Sequence, residues 1–158
     1  MLDGARILVA EDEALIGIES ADHLEGFGAQ VVGPVATVSD AIRLIERNHL
    51  DGALLDFQLD DGETTPLVTI LAARRVPTVT YTGSRTIPDL SGTYPDVTVL
   101  RKPLPMHILV AELAEACSRV DTKSAAHSPV LQTAADAVAR LPLRRTGEGV
   151  PKVAPRAG

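Results

Sequence analysis

The sequence contains one cysteine, no tryptophan and few aromatic residues. Because Cys117 is the only cysteine among 158 residues, an intramolecular disulfide and a cysteine-built zinc site are both excluded, which suits a reducing cytosol. Aromatic residues make up 3% of the chain and hydrophobic residues 45%, so the core must be aliphatic and rich in alanine. The length allows one domain of ordinary size plus an appendage.

Long apolar runs are also missing. None reaches the roughly 18 residues that a membrane-spanning helix needs. Residues 1–4 lead directly into a predicted strand, which leaves no room for a signal peptide. We therefore expect a cytoplasmic protein without membrane contact.

Positive charge is scarce in the first 120 residues, which carry 9 Lys and Arg against 18 Asp and Glu. The remaining 38 residues carry 6 against 3 and are therefore basic. An acidic main domain would be repelled by nucleic-acid phosphates, so we expect no nucleic-acid binding there. The basic tail could contact an acidic partner, including the acidic domain of its own chain.

Predicted strands and helices alternate along the chain. The strands are 6–10, 30–33, 52–57, 78–82 and 97–100, and the helices are 13–27, 38–48, 66–73, a short one within 83–96, and 105–120. This alternation predicts a doubly wound α/β domain over residues 1–120, with a five-stranded parallel sheet in the flavodoxin-like order 2-1-3-4-5. The first helix would face inward with Ala14, Gly17, Ile18, Ala21 and Leu24.

Beyond Val120 the composition changes, and residues 121–158 are predicted to form a C-terminal tail. Ser128 and Pro129 could begin a helix over 128–141 that has one apolar stripe. The segment after Pro142 is rich in Gly, Pro and Arg and is predicted to be disordered. A tail of 38 residues is too short for a DNA-binding or catalytic module with its own core.

Polar residues lie at the carboxyl ends of four of the predicted strands or directly after them. They are Glu11 and Asp12, Asp56, Thr82, and Lys102. The carboxyl ends of parallel strands meet at one edge of the sheet, where such folds bind ligands. Three carboxylates there would repel one another unless a divalent cation is present, and oxygen ligands favour Mg²⁺. With Lys102 and Thr82 beside the cation, this edge suits phosphoryl transfer in which Asp56 is the attacking carboxylate.

Several stretches, in this order and spacing, resemble the receiver domain of two-component response regulators across residues 5–120. They are Ile7 to Glu13, Leu54-Leu55-Asp56, Thr82-Gly83 and Lys102-Pro103. Three further stretches look like the single-domain regulators common in alphaproteobacteria: Val31 to Pro34, Gly62-Glu63-Thr64 and Tyr81-Thr82-Gly83. The resemblance implies a CheY-like phosphoprotein that switches protein–protein interactions and is not an enzyme beyond self-phosphorylation and slow autodephosphorylation.

The resemblance also implies roles for individual residues. Asp56 would accept a phosphoryl group from a histidine kinase or a histidine phosphotransfer protein. The Mg²⁺ ligands would be Asp12, Asp56 and the backbone carbonyl of Gln58, with Glu11 acting through a bound water. Thr82 and Lys102 would contact the phosphate, and the Lys102–Pro103 bond would be cis. An unidentified downstream protein is the expected target, and a homodimer is open.

The chain departs from the family pattern at three positions. Val99 stands where the family often has an aromatic residue that turns inward on activation. Asp60 replaces the usual proline four residues after the acceptor, and Pro88 interrupts the fourth helix region. We therefore expect an altered output surface.

Other interpretations remain open from the sequence. Taken alone, Asp56 also fits a turn cap, and the acidic triplet also fits a helix N-terminus. One alternative is an adaptor that binds partners independently of phosphorylation and uses the tail as its contact arm. Another is an aspartyl phosphatase of the haloacid dehalogenase type, although such enzymes carry a second aspartate where this chain has Gln58.

Overall fold

Strands and helices alternate in the structure, a computed structural model that describes residues 2–83 and 89–126. The strands are β1 (Arg6–Ala10), β2 (Gln30–Val35), β3 (Gly52–Asp56), β4 (Gln58–Leu59), β5 (Gly62–Glu63), β6 (Thr78–Thr82) and β7 (Val97–Arg101). The helices are α1 (Ala14–Gly26), α2 (Val38–Arg47), α3 (Thr65–Ala73), α4 (Leu90–Thr93) and α5 (Met106–Ala126). None of these helices is long and apolar enough to cross a membrane.

The main sheet has five parallel strands in the order β2-β1-β3-β6-β7. The two-residue strands β4 and β5 pair with each other in a separate antiparallel hairpin. Setting this hairpin aside, the main-sheet strands follow the predicted order 2-1-3-4-5. The predicted doubly wound fold is therefore confirmed, and the hairpin is an element that the sequence did not predict.

The core has two layers, one on each face of the sheet. Along β1, Leu8 and Ala10 are buried on one face, and Ile7 and Val9 are buried on the other. This alternation follows from the two-residue period of a strand. The first face is covered by α2 and α3 and the second by α1 and α5. Because both faces are covered, β1 is apolar without interruption from Ile7 to Ala10.

The inward face of α1 differs from the prediction. Its buried residues are Gly17, Ser20 and Leu24, whereas Ile18 is 53% exposed and Ala14 is exposed as well. The helix approaches β2 closely through Gly17, where an added Cβ would lie 3.3 Å from Pro34 Cβ. This contact fixes which side of the helix faces the sheet, and it leaves Ile18 on the surface.

The last described helix also differs from the prediction, because α5 continues to Ala126, six residues beyond the predicted end. Contacts within the chain place the described residues up to Ser124 in one compact unit. The helix predicted over 128–141 and the disorder predicted after Pro142 lie outside the described residues.

Gly33 shapes the edge of the sheet next to Glu11. Its φ is +117°, and an added Cβ would lie 2.6 Å from the Val9 carbonyl oxygen. The pairing of β1 with β2 shifts register here, between Leu8 and Ala10. Beyond the irregularity, the Glu11 N–H donates a 2.9 Å hydrogen bond to the Val35 carbonyl. Gly33 thus helps to set the position of Glu11.

We expect Gly33→Ala to destabilise the protein by about 2 kcal/mol or more, because the new Cβ meets a backbone oxygen at a positive φ. The matched control is Gly26→Ala at the end of α1, where an added Cβ has no neighbour within 4 Å. That control should change stability by less than about 1 kcal/mol. Urea unfolding of both variants measures the difference, and equal midpoints would contradict this account of Gly33.

Candidate functional site at the carboxyl edge of the sheet

A lysine and several carboxylates meet where the sheet strands end. Lys102, after β7, has its Nζ 2.7 Å from Asp56 Oδ2 at the end of β3. The same Nζ lies 3.5 Å from Glu11 Oε2 and 4.0 Å from Glu13 Oε1. The Lys102 side chain is 20% exposed and that of Asp56 11%, so these charges face each other largely away from water.

Glu11 is the most buried of the carboxylates that contact Lys102. Its side chain is buried, and one of its oxygens accepts a 3.2 Å hydrogen bond from the Glu13 N–H. Burial, followed by the negative charge of Asp56, raises the pKa of Glu11 from 4.5 to about 7. The site therefore favours a proton or a cation beside Glu11 near neutral pH.

Glu11, Asp12 and Asp56 form a set that fits a divalent cation. Each offers a carboxylate oxygen, and these oxygens lie within 4.8 Å of one another. A set of oxygen donors is what Mg²⁺ prefers. Burial is the larger cause of the raised pKa of Glu11, and the negative charge of Asp56 adds to it despite the nearby Lys102. The residues present therefore fit the predicted Mg²⁺.

Lys102 is held on two sides. Burial lowers its pKa, but the hydrogen bond and charge of Asp56, with the charges of Glu11 and Glu13, outweigh this and raise the pKa above its ordinary value. Its Nζ also lies 4.9 Å from the centroid of the Tyr81 ring. A cation over an aromatic face is attracted by the ring quadrupole. Lys102 therefore stays charged and in place.

Four further residues were predicted for this site: Thr82, Gln58, Pro103 and Val99. Thr82 is buried at the end of β6, and its carbonyl accepts a 2.8 Å hydrogen bond from the Lys102 N–H. The Gln58 N–H donates to Asp56 Oδ1 at 3.3 Å, and the metal-binding role of its carbonyl stays a prediction. The Lys102–Pro103 bond is cis. Val99 is partly buried and packs against the core layer on the face of the sheet that α2 and α3 cover.

Sequence reasoning missed two residues of the pocket, Glu13 and Tyr81. Glu13 belongs to the acidic triplet after β1, so its closeness to Lys102 could have been inferred from chain position. Tyr81 pairs with Asp56 in the sheet register. The signal available in the sequence was strand alternation, which puts Tyr81 and Thr82 on opposite faces of the sheet.

The raised pKa of Glu11 leads to a testable pH dependence. Between about pH 4.5 and 7 the folded protein retains a proton that the unfolded chain releases, so in the absence of Mg²⁺ this group's stabilisation is lost as the pH rises. Glu11→Gln cannot ionise and should avoid that loss. We expect the variant to gain roughly 1 to 3 kcal/mol over wild type between pH 4.5 and 7.5.

Urea unfolding in a chelating buffer at several pH values provides the measurement. Wild type with excess Mg²⁺ is the control, because a bound cation should favour the ionised carboxylate and offset the decline. A constant difference between the two proteins across this pH range would contradict the raised pKa.

Comparison with known proteins places this arrangement in a class. No family model matches the chain. The structure is similar to the solution structure of SdrG from Sphingomonas melonis Fr1, with 36% identity, 74% of this chain and 98% of that chain covered, and a TM-score of 0.61. It is also similar in fold to a CheY-like response regulator receiver domain protein from Methanospirillum hungatei JF-1, with 23% identity, coverage of 77% and 99%, and a TM-score of 0.69.

A curated relative is the transcriptional regulatory protein PdtaR of Mycobacterium tuberculosis. It is 27% identical over 117 residues, which cover 72% of this chain and 57% of that protein. The chain thus spans a little over half the length of the curated relatives it matches. The fold and the strand-end acids define a receiver domain of the two-component signalling type. The chain belongs to the response regulator receiver family, as its sequence motifs indicated.

Proposed function

We propose that this protein accepts a phosphoryl group on Asp56 from a histidine kinase or a histidine phosphotransfer protein and thereby switches its protein–protein interactions. The observation that carries the proposal is the 2.7 Å contact between Lys102 Nζ and Asp56 Oδ2 inside a group of three closely spaced carboxylates. Asp56 already contacts one cation, the Lys102 ammonium. Together with Glu11 and Asp12 it could also bind a metal cation.

The transfer itself needs little from the protein beyond position and charge. A carboxylate oxygen of Asp56 attacks phosphorus, an O–P bond forms, and the N–P bond to the donor histidine breaks. The leaving imidazole nitrogen keeps the bonding electron pair and takes a proton from solvent. We expect Lys102 and Thr82 to contact the transferred group, because Thr82 ends β6 and Lys102 follows β7 at the same edge of the sheet as Asp56.

Mg²⁺ is the proposed cofactor, which Asp12, Asp56 and the Gln58 carbonyl would hold, with Glu11 acting through a bound water. The close spacing of the Glu11, Asp12 and Asp56 carboxylates supports this ligand set. When bound, the ion would neutralise charge that accumulates as the phosphoryl group approaches the carboxylates. Lys102 neutralises part of the charge of Asp56 through its own contact with Oδ2. The Gln58 N–H restrains the second oxygen of Asp56.

The direct test is to incubate the protein with acetyl phosphate and Mg²⁺ and to locate the modification by peptide mass spectrometry. We expect one phosphoryl group per chain, on the peptide that contains Asp56, and none when Mg²⁺ is chelated. A phosphoryl group on another residue, or equal labelling without the metal, would refute the proposal.

A protein donor must cover the edge of the pocket, and α1 offers an apolar surface there. Leu15 is 83% exposed and Ile18 is 53% exposed, directly after the acidic triplet. We propose that these two side chains contact the phosphodonor protein. Leu15→Ser with Ile18→Ser should reduce transfer from a phosphorylated kinase or phosphotransfer protein by about 10-fold or more, because each buried apolar side chain contributes roughly 1.5 to 3 kcal/mol.

Phe27→Ser is the matched control, because Phe27 is also exposed (45%) but follows the opposite end of α1. Labelling by acetyl phosphate should be unchanged in the double variant, since a small donor needs no docking surface. Equal losses with both donors would indicate a damaged pocket instead, and a loss in Phe27→Ser would show that the docking surface lies elsewhere.

The adaptor and phosphatase alternatives are less well supported. An adaptor that works without phosphorylation would not need the Lys102–Asp56 contact, so the site geometry does not favour it. The phosphatase lacks its second aspartate, because Gln58 occupies that position. The downstream target, a homodimer and the absence of nucleic-acid binding stay proposals from sequence and charge.

A further inference from the structure

Tyr81 joins the pocket to the segment that precedes α5. Its ring lies 4.9 Å from Lys102 Nζ, measured to the centroid. Its hydroxyl donates to the Leu104 carbonyl at 3.3 Å and lies 3.5 Å from the Leu104 N–H, which donates to it. The one side chain therefore touches both ends of the segment Lys102-Pro103-Leu104, which leads into α5 at Met106.

The position of Tyr81 in the sheet shows on which face of the sheet these contacts lie. Tyr81 is partly buried and packs in the core layer of α1 and α5, together with Leu104 and Leu109. Val99 packs in the other layer, where α2 and α3 lie. Valine has no ring to reorient, and α4 has only four residues. The aromatic contact to the pocket therefore lies on the α5 side of the sheet.

We propose that Tyr81 is a positioning residue that holds Lys102 in place and makes the Leu104 segment and the first turns of α5 respond to the state of Asp56. This inference rests on the proposed phosphorylation of Asp56. A phosphoryl group adds about −1.5 to −2 charges beside Lys102. The ammonium is drawn toward it and away from the ring, and the Tyr81–Leu104 hydrogen bonds change with the ring position.

The proposal also predicts which side of the domain carries the response. The changed surface comprises the segment 102–105 and the exposed residues of the first turns of α5, such as Ile108, which is 37% exposed. A partner that distinguishes the two states would contact this surface, whereas the surface around Val99 and α4 would change less.

The experiment compares Tyr81→Phe, which keeps the ring and loses the hydroxyl, with Tyr94→Phe. Tyr94 is the matched control because its hydroxyl is also hydrogen-bonded, 3.0 Å from Thr69 Oγ1, and it packs in the opposite core layer. Amide hydrogen exchange is measured on residues 102–110 of the full chain with Mg²⁺, with and without acetyl phosphate. The phosphorylated fraction is measured in the same samples.

In wild type we expect phosphorylation to change exchange in this segment by about 3-fold to 10-fold, the effect of losing or gaining one hydrogen bond. Tyr81→Phe should lose that change per phosphorylated molecule, and Tyr94→Phe should keep it. Retention of the change in Tyr81→Phe, its equal loss in Tyr94→Phe, or no change in phosphorylated wild type would overturn the proposal. Failure of wild type to be phosphorylated at all would instead refute the proposed function.

A second measurement tests the positioning role without phosphorylation. The Lys102 ε-methylene protons should show an upfield ring-current shift in the NMR spectrum of wild type and Tyr81→Phe, and lose it in Tyr81→Leu. A Lys102 resonance that is the same in all three proteins would show that the ring does not hold the lysine, and the inference would fall whatever the state of Asp56.

Discussion

Asp56→Asn is expected to reduce Mg²⁺-dependent labelling by acetyl phosphate at least about 100-fold, because the amide lacks the nucleophilic carboxylate oxygen. The substitution is nearly isosteric. An asparagine oxygen can still accept the hydrogen bond from Lys102 Nζ or from the Gln58 N–H, the two groups that contact Asp56 in wild type. The loss should therefore come from chemistry, with little change in the fold.

Asp60→Asn is the matched control for this prediction. It makes the same chemical change four residues later, at an exposed position in the turn between β4 and β5. Its labelling should equal that of wild type. Urea midpoints should also be measured, so that lost labelling can be separated from unfolding. Substantial labelling of Asp56→Asn at another residue would remove Asp56 from its proposed role.

Asp12→Asn is expected to weaken Mg²⁺ binding by about 10-fold to 100-fold and to reduce labelling accordingly. The reason is the loss of one of three closely spaced anionic ligands. Asp22→Asn is the matched control, since Asp22 is exposed on α1 and outside that group. Titration calorimetry with Mg²⁺ measures the affinity of each protein.

For Lys102→Met we expect the opposite change in Mg²⁺ affinity in the same titration. The lysine ammonium neutralises Asp56 and Glu11, so it competes with a metal ion for their negative charge. Its removal should strengthen Mg²⁺ binding, while labelling should fall because the transferred phosphoryl group loses a partner. If Asp12→Asn bound Mg²⁺ like wild type, or if Lys102→Met bound it more weakly, the metal site would not be built as proposed.

The sheet was predictable because its central strands β1 and β3 are apolar on both faces. A run such as Ile7 to Ala10 can be buried only between two layers of helices, so the doubly wound fold followed from the pattern. The gathering of Glu11, Asp12, Asp56 and Lys102 was predictable for the same reason. Parallel strands deliver the residues that follow them to one edge.

The details that the sequence did not predict depend on contacts between distant residues. The outward position of Ile18 follows from the close approach of Gly17 to Pro34, which helical periodicity cannot show. The Tyr81–Leu104 hydrogen bonds join a residue of β6 to one that follows β7, 23 positions later in the chain. The hairpin of β4 and β5 contains too few residues to produce a strand pattern.

Asp61 links the turn between β4 and β5 to the start of α2 through hydrogen bonds. One carboxylate oxygen accepts from the Val38 N–H at 2.6 Å, and the other accepts from the N–H and hydroxyl of Ser39 at 3.1 and 2.8 Å. These hydrogen bonds, that of Val38 first, hold the pKa of Asp61 below its usual value. In a fluorescent sensor based on the proposed response, a reference dye would be attached at this turn and the responding dye at the segment before α5. Thiol attachment at either point would first require replacement of Cys117, the only native cysteine.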